Sequence, residues 1–107
     1  MHAILGKIFP CQFSSVKTIS VPQRTLNTVI ENEISNVESI DIISIDVEGG
    51  ELNVLKGLDL NKYVPKVMVI ENVTNDMNIY NYLTRFGYKL DKHISYNQYY
   101  VHSSFKY

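Results

Sequence analysis

Tryptophan is absent from this chain of 107 residues, and cysteine occurs once, as Cys11. A single cysteine closes no intrachain disulfide, so packing has to hold the fold, and the usage fits a reducing compartment. Glycine (5) and proline (3) are few. With 45% hydrophobic and 20% charged residues, that excludes a low-complexity or wholly disordered chain. No apolar run approaches the ~20 residues of a membrane span. The start, Met1 to Phe9, is short and interrupted by Lys7, a poor match to a signal peptide. Basic residues are scattered and the net charge is -1, which leaves no field to hold a nucleic-acid backbone. No internal repeat is present. These absences predict one small soluble domain of the cytoplasm, with neither nucleic acid nor membrane as partner. The glycosylation triplet Asn72-Val73-Thr74 is then a coincidence.

What is present centres on residues 40–52. Ile40, Ile42, Ile43, Ile45 and Val47 form a nearly continuous β-branched run, followed by Glu48, Gly49, Gly50 and Glu51. Such a run predicts a strand covered on both faces, inside a parallel α/β sheet. Polar residues just past the carboxyl end of such a strand stand where open α/β sheets bind ligands. Asp46, Glu48 and Glu51 lie within six residues, and carboxylates so crowded need solvent, a cation or hydrogen-bond donors.

Around that strand the pattern alternates. Residues 1–14 carry no clear period, and residues 15–21, with Val16, Thr18, Ile19 and Val21, predict a short strand stopped by Pro22. Thr25 is placed to cap a helix reaching about Ile34, with Leu26, Val29 and Ile30 on one face. After the strand at 40–47 and the Gly49-Gly50 turn, Leu52, Leu55 and Leu58 make a helical core stripe. Residues 67–73 predict a second buried strand, ending in Glu71 and Asn72. Thr74, Asn75 or Asp76 caps the next helix, with Ile79, Leu83 and Phe86 inward and Gly87 as its left-handed terminator. Residues 88–90 and 99–102 predict an antiparallel strand pair. The fold class is α/β, parallel strands ending in an antiparallel pair.

The run Ile45-Asp46-Val47-Glu48-Gly49-Gly50-Glu51-Leu52-Asn53-Val54-Leu55-Lys56-Gly57 resembles the signature of FkbM-type S-adenosylmethionine-dependent methyltransferases. Thr25-Leu26-Asn27 resembles the Thr-Leu-Asp that precedes it, with asparagine for aspartate, and the resemblance extends over about residues 21–102. It implies the C-terminal half of a Rossmann-like class I methyltransferase sheet, residues 40–47 and 67–73 being its fourth and fifth strands. It also implies O-methyl transfer from S-adenosylmethionine to the hydroxyl of a sugar or other small molecule. The family's glycine-rich cofactor turn is missing: Gly6, Gly49, Gly50, Gly57 and Gly87 include no Gly-x-Gly. The expected organisation is an N-terminal segment, loop or short strand, at 1–20 and a partial methyltransferase domain at 21–107. Without a first strand beside it, the strand at 40–47 presents an open edge. Residues 15–21 or another chain could cover that edge, so instability of the isolated chain, or its association with itself or a partner chain through that edge, is expected.

Asp46, Glu48 and Glu71 are the candidate catalytic residues. Asp46 and Glu48, two apart, share a side if the strand persists, and Glu71 ends the neighbouring strand. One of them could serve as general base toward the acceptor hydroxyl, its pKa raised by like charges. Alternatively Asp46, Glu71 and Asn72 could hold Mg²⁺, as strand-end acids and an asparagine do in catechol-type O-methyltransferases. A structural reading stays open as well, with Glu48 and Glu51 capping backbone N–H groups and Asp46 orienting the loop. His93 and His102 lack partners at ligand spacing, the tyrosines fit strand-face packing, and Cys11 has nothing nearby to activate it. Three functions remain open: an incomplete O-methyltransferase, one half of a split enzyme, or a non-catalytic remnant acting as an interaction module.

Overall fold

The structure, a computed structural model, describes residues 16–106. The expectations for residues 1–14, Cys11 among them, lie outside the described residues. Helix α1 (Leu26–Glu33) is followed by β1 (Ile42–Ile45), α2 (Glu51–Lys56), β2 (Val67–Glu71), α3 (Met77–Arg85), β3 (Tyr88–Ile94) and β4 (Asn97–His102). That is the order the sequence predicts. The four strands form one sheet in the order β1-β2-β4-β3. β1 and β2 are parallel, and β4 runs antiparallel to both of its neighbours. β3 therefore points the same way as β1 and β2, and the last strand alone is reversed.

Local chemistry sets the element ends. The Thr25 hydroxyl accepts the Thr28 N–H at 3.1 Å and starts α1. Asp76, one of three residues able to cap α3, is the one that does, accepting the Asn78 N–H at 2.9 Å. Gly87 follows α3 at φ +86°, and a Cβ there would stand 2.9 Å from His102 Nε2. That imidazole donates from Nε2 to the Phe86 carbonyl at 3.0 Å, so His102 closes the end of α3. Asn27 does comparable work at long range. Its Oδ1 accepts the Asp59 N–H at 2.7 Å and its own N–H donates to Gly57, which ties α1 to the end of α2. Asparagine and aspartate both offer that oxygen.

Register decides burial. Ile43 and Ile45 pair with Met68 and Ile70, which pair with Tyr100 and Gln98. These residues face Val54 and Leu55 of α2 and Ile79 and Leu83 of α3 in one core. Met68, Ile70, Leu55, Leu83 and Tyr100 are fully buried. The opposite face carries Ile42, Ser44, Val67, Val69, Tyr99 and Val101, and among the described residues no helix covers it.

Three expectations need correction here. The strand predicted at 40–47 is Ile42–Ile45, and it is not covered on both faces, since Ile42 is 61% exposed. A β-branched run reports strand propensity, whereas coverage depends on what packs above and below. The strand predicted at 67–73 stops at Glu71 because Asn72 turns the chain. At positions 16–21 there is no strand pairing, and Val16, Ile19 and Val21 are exposed. No helix or strand other than β2 runs alongside β1 among the described residues, so the open edge expected there is present.

Candidate functional site

Two strand ends build the site. β1 and β2 are in register through Ile45 and Ile70, so the next residues, Asp46 and Glu71, emerge side by side on the open face. The expectation that Asp46 and Glu48 share a side of one strand does not hold, because the strand ends at Ile45. Glu48 instead adopts φ +53° and Gly49 φ +112°, a left-handed turn that is unusual for glutamate. That turn brings Glu48 round to the same cleft.

Glu51 closes the turn. Its carboxylate accepts the Val47 N–H at 3.0 Å and the Gly49 N–H at 3.0 and 3.2 Å, and the residue is only 5% exposed. The capping role held open for Glu51 is thus the one it fills. Asn72 does the same after β2. Its Oδ1 accepts the Asp76 N–H at 2.8 Å, while its Nδ2 donates to the Asp76 carbonyl at 3.2 Å and to Gln98 Oε1 at 3.1 Å. The Tyr100 hydroxyl donates to the same Gln98 oxygen at 2.8 Å. Asn72 and Gln98 are buried on the helix-covered side.

Between the two turns lies a cleft of about 380 Å³ lined by Glu48, Gly49, Glu51, Glu71, Val73 and Thr74. Glu71 titrates above the ordinary carboxylate range. Desolvation is the largest cause, followed by the charge of Asp46 and a hydrogen bond with it, then the charges of Glu51 and Glu48. Asp46 and Glu71 stand close enough for their like charges to interact, so they are read as a pair.

Asp46, Glu48 and Glu71 are therefore brought together, whereas Asn72 is not. Its amide is turned to the covered side and engaged there, away from Asp46 and Glu71, so the three residues considered for Mg²⁺ do not make one ligand set. Among the described residues no group of three or more Asp, Glu, His or Cys is placed to hold a metal ion. Among the described residues no run of glycines forms a cradle at the cleft. Of the described glycines only Gly49 borders the cleft, and its N–H is taken by Glu51. His93 is exposed on β3, and His102 is taken up in closing α3.

Sequence reasoning missed Val73 and Thr74 as cleft walls and the network of Gln98 and Tyr100. A signal for the network exists: Gln98 alternates with Tyr100 along a strand, putting a polar side chain at an inward position.

A parallel strand pair ending in a carboxylate-lined cleft has the layout of an open α/β ligand-binding sheet. Residues 6–90 match the family model of the methyltransferase FkbM domain. The chain belongs to that family, whose methyltransferases in general use S-adenosylmethionine. No curated protein and no solved structure matches the chain. No helix among the described residues is long and apolar enough to cross a membrane.

Proposed function

We propose that this chain forms the acceptor side of a cytoplasmic O-methyltransferase, binding a small-molecule or sugar hydroxyl in the cleft between the β1 and β2 turns. The observation that carries this reading is the Asp46–Glu71 pair, each residue directly following the paired positions Ile45 and Ile70 of two parallel strands, with Glu71 held above the usual carboxylate value. Glu71 takes the proton of the acceptor hydroxyl at a carboxylate oxygen, and its raised pKa makes it the stronger base. Asp46, beside Glu71, raises its proton affinity through like charge, and Glu48 borders the acceptor from the turn. Val73 and Thr74 form the opposite wall. Because the described residues make neither a cofactor cradle nor a Mg²⁺ ligand set, the donor side belongs to a segment outside them, of this or a second polypeptide.

A second reading, a non-catalytic remnant or interaction module, is favoured by the capture of the Gly49 N–H by Glu51. Calorimetric titration of the purified chain with S-adenosylhomocysteine, with and without Mg²⁺, separates the two. Binding that supports methyl transfer, lost in Asp46→Ala and Glu71→Gln, establishes the enzyme reading. A folded chain that binds nothing is a half that needs a partner or has lost its chemistry. Transfer that survives Asp46→Ala removes that residue from the assignment.

A further inference from the structure

The chain carries two unsatisfied strand elements, and they complement one another. One is the outer edge of β1, along which no other strand or helix runs among the described residues. The other is residues 16–21, rich in β-branched side chains, exposed and unpaired, with Val16, Ile19 and Val21 at 70%, 64% and 52% exposure. An unpaired edge beside an unpaired strand former is the arrangement from which strand exchange arises.

We propose that residues 17–21 of a second copy of this chain add antiparallel to the outer edge of β1, in a reciprocal exchange that places Lys17 of that copy against Asp46. The register follows from the residues. Opposing Val21 to Ile42 puts Ile19 opposite Ser44 and Lys17 opposite Asp46. All three pairs lie on the open face, so Ile19 and Val21 extend the apolar surface of Ile42, Val67 and Val69. Lys17 then faces the Asp46–Glu71 pair, which no ion pair reaches among the described residues. Pro22 ends the added strand where β1 begins, since proline donates no ladder hydrogen bond.

Charge selects this direction over pairing within one chain. A return through α1 is a helical crossover, which delivers a parallel neighbour. A parallel strand with Ile19 beside Ser44 sets Lys17 against Ile42 and Val21 against Asp46, a charge on an apolar residue and an apolar residue on a charge. Asn27 also anchors α1 at the end of α2. The exchange rests on the open edge and touches the proposed acceptor site only through Lys17, and its readouts, mass and amide protection, are separate from methyl transfer.

Sedimentation and light scattering of the purified chain test it, with amide exchange read on the same samples. The expected result is a dimer of twice 12.3 kDa in which residues 17–21 and 42–45 are protected. Ile19→Pro removes the ladder N–H opposite Ser44 at an exposed, unpaired position, so the fold persists by circular dichroism while the dimer is lost. Lys17→Glu weakens dimerisation by roughly tenfold through like charges across the strands, and adding Asp46→Lys restores it. A wild-type monomer at every soluble concentration overturns the proposal. So does a dimer that survives both Ile19→Pro and Lys17→Glu, or a monomer with residues 17–21 protected, which would place the strand on its own β1.

Discussion

The turns after β1 and β2 lie side by side and follow one plan with different chemistry. Each sends one carboxylate, Asp46 or Glu71, onto the open face, and each is closed by a buried side chain. After β1 the closing group is a carboxylate, because the turn offers only donors, the N–H groups of Val47 and Gly49. After β2 it is an amide, because Asn72 must accept from the Asp76 N–H and also donate to the Asp76 carbonyl and Gln98. The lesson is that acidity alone does not mark a site. Glu51 lines the cleft beside Glu48 and Glu71, yet it is the most buried acid there and its carboxylate is engaged in closing the turn.

The largest effect should come from breaking the first turn. Glu51→Ala leaves the Val47 and Gly49 N–H groups without their acceptor, at a cost of about 3 kcal/mol, measurable by urea denaturation. Breaking the second turn with Asn72→Ala should cost about 2 kcal/mol by the same measurement. Asn72→Asp sharpens the contrast. A charged carboxylate cannot donate to the Asp76 carbonyl, so this variant should lose stability at neutral pH and regain it on acidification. Asp76→Ala removes only the α3 cap and should cost about 1 kcal/mol in a thermal melt.

The smallest stability effect belongs to Glu71, where the pH dependence is the readout. Its folded pKa lies above the ordinary value, so the folded state binds the proton more tightly. The contribution of Glu71 to stability is thus fully present below the unfolded carboxylate pKa and is lost as pH rises through the folded one. Glu71→Gln should flatten that limb of the stability-against-pH curve and leave the acid limb in place. An unchanged curve would show that the Asp46–Glu71 pair is not coupled.

Most of the fold was legible because the signals are local. Thr25, Asp76 and Gly87 act within a turn of their own helices, and the apolar runs around Ile43 and Met68 reach strand length without help. The juxtaposition of Asp46 and Glu71 was legible for the same reason, since each directly follows a paired strand position. The Asn72 and Glu48 expectations failed because they depended on where a strand stops. Ile45 ends β1 because Glu51 reaches back to Val47 and Gly49, a contact that no periodicity records.

By itself the sequence determined the order of elements, the family and the crowding of acids after Ile45, each set by residues adjacent along the chain. Tertiary structure decided which sheet face the helices cover, which polar groups close the turns and which are left to the cleft. The physical reason is that alternation assigns residues to faces without saying what packs against either one. The bonds from Asn72 to Gln98 and from Asn27 to Asp59 also join residues far apart in sequence, and only the folded chain brings them together.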